Sequence, residues 1–324
     1  MLLRYFNSNR VGVLILLVGI PLLYWLPVVF SDRAAFMLPA TGTLPGNVFS
    51  YMNTNLPALS GLIVLALVLL NAYLLVQLNT IHIFIPAKTQ LPAFFYLLIA
   101  CGHNPGLVLS PALVASTLLI FVLFRLMATY KVDGISYNFL DAGFLIALAS
   151  LLFFPTAGFL VFLFMALALL RPFNWREYTY VLVGMALPYF FLYSGYFLTN
   201  KSAGLFFDSM QGLMKRQEVT VRLIDWIGGA FMAAMLLYGS YFMLTTIDNM
   251  KIQSRKMFFL FLWLFLVSMV LGIVIPAVST DMVYFAGIPT AFLFSHYFHK
   301  CSKNWLNELL FSLFLVLLIL IRLF

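Results

Sequence analysis

The chain has 324 residues, of which 64% are hydrophobic and only 9% charged, and Phe alone occurs 35 times. A soluble domain carries about 25% charged residues, so this composition excludes a soluble enzyme or binding module and points to an integral membrane protein. The net charge of +8 is no sign of nucleic acid; in a polytopic chain surplus Lys and Arg set orientation and meet anionic lipid. With almost no long polar stretch, residues 1–324 read as one transmembrane domain of the all-α class.

Arg4 and Arg10 precede a first apolar run, 11–30, and argue for a cytoplasmic N-terminus. The run is longer than a signal-peptide core and lacks a small-x-small cleavage site, so it reads as a retained span. The loop 31–56 holds Asp32 and Arg33, and its Phe36, Met37, Val48, Phe49, Tyr51 and Met52 predict pieces lying along the interface. A second span covers about 57–77 and encloses Asn71, which predicts a hydrogen bond between helices. The polar turn 78–90 leads to a short run, Leu91 to Cys101, and then to the turn sequence Gly102-His103-Asn104-Pro105-Gly106. A span at about 107–126 ends on Arg125, and the loop 127–140 carries Lys131 and Asp133.

From Gly143 to Leu170 there is no charge. These residues make about 42 Å of helix against a hydrocarbon slab of about 30 Å. They form either one steeply tilted helix or two short ones turning at Pro155-Thr156-Ala157-Gly158. Charge decides between them. A hairpin puts 12 of the 18 Lys/Arg on the cytoplasmic side: Arg4, Arg10, Lys88, Arg125, Lys131, Arg171, Arg176, Lys251, Arg255, Lys256, Lys300 and Lys303. A single span makes the split 10 to 8, so the hairpin is preferred.

Further spans are expected at about 178–198, 223–246, 257–277, 282–298 and 305–322, with a long amphipathic loop at 199–222. In that loop Phe206, Phe207, Met210, Leu213 and Met214 predict an interfacial helix over 205–218. The whole reads as about 11 transmembrane segments (9–11), N-terminus in, with interfacial helices in the two outer loops, 31–56 and 199–222. Cys101 and Cys301 then face opposite sides, so no disulfide is expected.

Chemistry has few places to sit. Asp32 lies just past the first span, and Lys201, Lys215, Arg216 and Arg222 lie in the second outer loop. A carboxylate opposite a basic interfacial loop suits a lipid-phosphate substrate, the cations holding phosphate and the carboxylate acting as base or metal ligand. The plainer reading makes Asp32-Arg33 an interfacial pair and the loop a headgroup-binding helix. Asp225 and Asp281 stand at span ends where water reaches them, and His296 with His299 and Cys301 lacks a nearby carboxylate to complete a metal clip. No span carries a charge at its middle, which argues against a proton-coupled pump. The box Arg171-Pro172-Phe173-Asn174-Trp175-Arg176-Glu177 supplies an interface anchor, two topology-setting charges and, in Glu177, an acid near a helix start.

The loop placement resembles that of the C-type-fold membrane glycosyltransferases, which use polyprenyl-phosphate-linked sugars. The paired short runs from Ala142-Gly143-Phe144 to the basic box are similar to theirs. The resemblance implies that Asp32 takes the place of the catalytic acid, with Lys215, Arg216 and Arg222 near the donor phosphate and Arg33 and His103 as further substrate-binding candidates. It calls for no organic cofactor, and a divalent metal at Asp32 is compatible with it. The Arg171-Pro172-Phe173-x-Trp175-Arg176-Glu177 box, with Gly184 and Pro188 after it, is also similar to a polytopic family of Bacteroidota without an assigned activity. The expected setting is the bacterial inner membrane, multi-pass, with membrane lipid and a polyprenyl-phosphate sugar as partners. The alternatives are a non-catalytic subunit of an envelope (secretion or glycosylation) complex with protein partners, and a lipid or small-solute transporter.

Overall fold

In a computed structural model, residues 11–29, 44–82, 85, 89–103, 107–130, 137–198, 236–241, 245, 251–275, 281–300, 308–313 and 316 are described, and all regular structure among them is helical. The first helix, α1 (Val11–Val29), buries Val13, Leu17, Pro21 and Trp25, each four residues from the last, and turns Ile15, Leu22 and Leu23 outward. A short α2 (Leu44–Asn55) stands where an interfacial piece was expected, and α3 (Pro57–His82) runs to five residues beyond the predicted span end. After it come α4 (Leu91–His103), α5 (Pro111–Ala128) and α6 (Tyr137–Leu152), a 3-10 turn (Phe154–Gly158), and α7 (Phe159–Leu170). The described helices close with α8 (Trp175–Leu198), α9 (Ile252–Val274) and α10 (Val283–Lys300). Among the described residues, four helices (α3, α5, α8 and α9) are long and apolar enough to cross a membrane.

The interior is organised on the short helix. Every residue from Leu91 to Cys101 is buried. The 13 residues of α4 reach only about 20 Å, so it does not span a slab of about 30 Å by itself. A helix apolar all round belongs inside, and α4 packs against α10, α3 and α1. Aromatic rings fill the joints. Phe95 stacks on Phe298 at 5.3 Å and meets Phe294 edge-on at 5.6 Å, while Phe261 stacks on Phe292 at 4.3 Å.

The uncharged central stretch is a hairpin. Helix α6 stops at Leu152, the chain turns through Phe154–Gly158, and α7 runs back. The proof is at the open end, where the Arg171 guanidinium lies 5.7 Å from the centre of the Phe139 ring although 32 positions separate them. Pro155 and Thr156 are buried in the turn, and Phe285 of α10 closes it from below, 5.8 Å from Phe153 and 5.3 Å from Phe159.

Helix α8 rests on α6 through two glycines. A Cβ on Gly184 would strike the backbone carbonyl of Leu140, and one on Gly143 the carbonyl of Val181. The backbones therefore touch, as small residues allow where helices associate in an apolar medium. Above this crossing Ser150 Oγ and Tyr189 OH share a hydrogen bond of 2.6 Å.

Several boundaries differ from expectation by a few residues, two of them for local reasons. The span expected from 107 starts at Pro111, because Ser110 takes an extended conformation and its Oγ accepts from Ala112 N–H at 3.2 Å, with proline at the first helical position. Helix α6 begins at Tyr137, inside the predicted loop 127–140, since nothing in Tyr137–Leu140 breaks a helix. The interfacial helix expected over 205–218, the loop 199–222 and most of the spans at 223–246 and 305–322 lie outside the described residues, as does Cys301. Cys101 is buried.

Candidate functional site

Most of the side chains singled out from the sequence fall outside the described residues: Asp32, Arg33, Lys215, Arg216 and Arg222. His103 is the last residue of α4. What the structure describes instead is a bundle with two chemically different ends.

At one end meet the close of α2, the start of α5 and the approach to α10. The side-chain amide of Asn53 grips Leu109 from both sides, donating to its carbonyl at 3.1 Å and accepting from its N–H at 3.0 Å. This holds the extended segment before α5, where Leu107 takes a left-handed φ of 52° that costs a non-glycine residue about 1 kcal/mol. The next residue, Ser110, accepts from Ala112 N–H and donates a long 3.5 Å hydrogen bond to Asp281 Oδ1. Asp281 stays partly exposed, as its position at a span end suggested, but the fold sets its carboxyl against this hydroxyl. Burial pushes its carboxyl up to about 6, and the Ser110 hydroxyl only partly offsets this. A carboxyl that changes charge near neutrality can act as a general acid or base. Nothing in the sequence pairs Ser110 with Asp281, 171 positions away.

The sign of the pH effect follows. Folded Asp281 holds its proton to about pH 6, whereas the unfolded chain loses it near 3.8. Stability from this group is therefore greatest below about pH 4, declines between about 4 and 6, and is level above. Asp281→Asn is expected to remove that slope and to raise stability at pH 7 by up to about 3 kcal/mol. Denaturation in detergent across this pH range checks it, and a variant weaker than wild type at pH 7 would contradict it.

The other end is basic. It gathers the C-terminal ends of α3, α5 and α7 and the starts of α6, α8 and α9. Arg171 donates from Nη1 to Glu177 Oε1 at 2.7 Å and from Nε to the Thr129 carbonyl at 3.2 Å. Glu177 is buried, so it serves as the counter-charge of Arg171 and not chiefly as a helix-start charge; the Asn174 side chain accepts from Arg176 N–H at 3.3 Å instead. Lys256 donates to the Leu170 carbonyl at 3.3 Å and sits 5.6 Å over the Tyr130 ring. Arg125 pairs with Asp141 at 3.4 Å, and Gln253 donates to the His82 carbonyl at 3.5 Å.

Between the ends the polar groups are few. Asn71, fully buried, donates from Nδ2 to Tyr96 OH at 2.9 Å and lies 3.5 Å from Ser116 Oγ, so it joins α3 to α4 and α5 as expected of a hydrogen bond between helices. Its Oδ1 has no partner. His296 is buried in α10. Among the described residues no three His, Cys, Asp or Glu side chains come together in a way that could hold a metal ion.

Comparison with curated proteins and with solved structures gave no match. A model of a family of unknown function, DUF6427, matches residues 40–324, which include both ends of the bundle, the Arg171–Glu177 box, Gly184 and Pro188. The chain therefore belongs to the DUF6427 family.

Proposed function

We propose that this is a multi-pass protein of the bacterial inner membrane that acts on a polyprenyl-phosphate-linked sugar at the end of the bundle where Asp281 lies. In this reading that end faces outward. All six Lys/Arg whose side chains are described lie at the other end, and cytoplasmic ends collect such charges. The observation that carries the proposal is the Asn53–Leu109 clasp, which ties the close of the loop containing Asp32 to the segment whose Ser110 hydrogen-bonds Asp281. Asp32 is only 12 positions before Leu44, a reach of at most about 40 Å. Two acids near one surface divide naturally into a base for the acceptor and a proton-holding partner, with Lys215, Arg216 and Arg222 for the phosphate and Arg33 and His103 beside it. A transporter fits less well, because the described interior is filled with stacked aromatic rings and carries no charge at mid-depth.

The test is complementation. Cells lacking the gene should accumulate a lipid-linked sugar detectable by mass spectrometry of lipid extracts. Asp32→Asn should fail to clear it while present in the membrane at normal abundance, since loss of a general base costs about 10²–10⁴-fold in rate. Asp208→Asn should be much milder. If Asp32→Asn complements as well as wild type, catalysis is ruled out and the non-catalytic envelope subunit takes its place.

A further inference from the structure

At the basic end Asp141 is paired with Arg125 and Glu177 with Arg171, and Lys251 and Lys256 lie beside these pairs. Lys256 has no carboxylate partner among the described residues; it spends one N–H on Leu170 and rests on Tyr130. Arg171 Nη2, next to Leu170 in the chain, is buried without a hydrogen-bond partner. Lys251 stands exposed at the start of α9, whose first turn has no side-chain cap. The Leu170 and Thr129 carbonyls that receive these cations are helix C-terminal ends worth only about half a charge each, so they leave the seam positive.

The depth of this seam is also marked. Phe173, in the turn between α7 and α8, Trp175, the first residue of α8, and Tyr137, at the start of α6, are all largely exposed. Exposed aromatic rings at the ends of apolar helices sit at headgroup level. Half-buried cations at that level, between helix ends, meet lipid phosphate before anything else.

We infer that the seam between the end of α7 and the start of α9 holds the headgroup phosphate of an anionic phospholipid, with Lys256 as its direct contact, Lys251 at the rim and the acyl chains along the apolar flank of α9. That flank exposes Trp263, Leu266, Val270 and Ile273, spaced three or four positions apart down one side of the helix. The site is independent of the outer-surface chemistry proposed above.

The experiment uses the full-length protein in nanodiscs of phosphatidylcholine with and without phosphatidylglycerol, followed by native mass spectrometry to count which lipid is retained. Wild type is expected to keep phosphatidylglycerol selectively. Lys256→Gln and Lys251→Gln should each lower that preference about fivefold, and Lys256→Arg should restore it. Retention of phosphatidylglycerol by both Gln variants at the wild-type level would overturn the site. Should Lys256→Gln fail to fold, the exposed Lys251→Gln carries the same reading. Displacement of the bound lipid by inorganic phosphate at millimolar concentration would show a free-phosphate site and overturn the lipid assignment.

Discussion

Glu177→Gln is expected to destabilise the protein by about 3–5 kcal/mol and to deplete it from the membrane. The side chains of Arg171 and Glu177 are 12% and 6% exposed and meet at 2.7 Å, so neither can turn to water when the other is lost. Gln keeps the shape and one acceptor but leaves the guanidinium uncompensated beside the Phe139 ring and the Thr129 carbonyl. Because Arg171 ties the end of α5 to the end of α7, the loss should spread to the hairpin itself. Replacing both partners with apolar residues of similar volume should recover much of the stability, since a buried pair is costly mainly when broken. Arg125–Asp141 is the internal control. Its side chains are 51% and 36% exposed, and Asp141→Asn should shift stability by less than about 1 kcal/mol. Denaturation in detergent and immunoblots of membranes measure both. A Glu177→Gln protein as stable as Asp141→Asn would refute the structural role of the box.

Gly184→Ala should cost about 1–3 kcal/mol, and Gly184→Leu should prevent accumulation. The new Cβ meets the Leu140 carbonyl, which belongs to a helix backbone and has no rotamer to change, so α6 and α8 must move apart. Helix α8 has little else to hold it, since only Glu177, Val181, Gly184 and Pro188 of its residues are buried. Gly143→Ala meets the Val181 carbonyl across the same crossing. The double variant should therefore cost less than the two single costs added, because the first has already opened the gap the second needs. A Cβ on Gly195 in the same helix would meet nothing within 4 Å, and Gly195→Ala should be neutral or stabilising by up to about 1 kcal/mol. Thermal unfolding of the four variants orders them, and equal losses at Gly184 and Gly195 would contradict the close crossing.

The sequence by itself determined where the helices are. Apolar runs are separated by Pro, Gly and charge, and those punctuators act locally on the backbone, so the turn at Pro155–Gly158 and helical runs near 11–30, 91–101 and 178–198 were legible, each to within a few residues. The pattern of Lys and Arg likewise anticipated the charges that the structure collects at one end. What it did not determine is which side of each helix faces protein. In a chain this apolar, lipid-facing and core-facing residues are equally hydrophobic, and the periodicity that orients a helix in a soluble protein is missing. Only the tertiary structure showed that α4 is enclosed on every side, that Gly143 and Gly184 are a contact, and that Glu177 answers Arg171. The same holds for the candidate site. Asp32 stood out because it is alone in its loop, whereas Asp281 looked like an ordinary span-end acid until the fold set it against Ser110. Burial of a carboxyl depends on neighbours that are distant in the chain, and no local pattern encodes them.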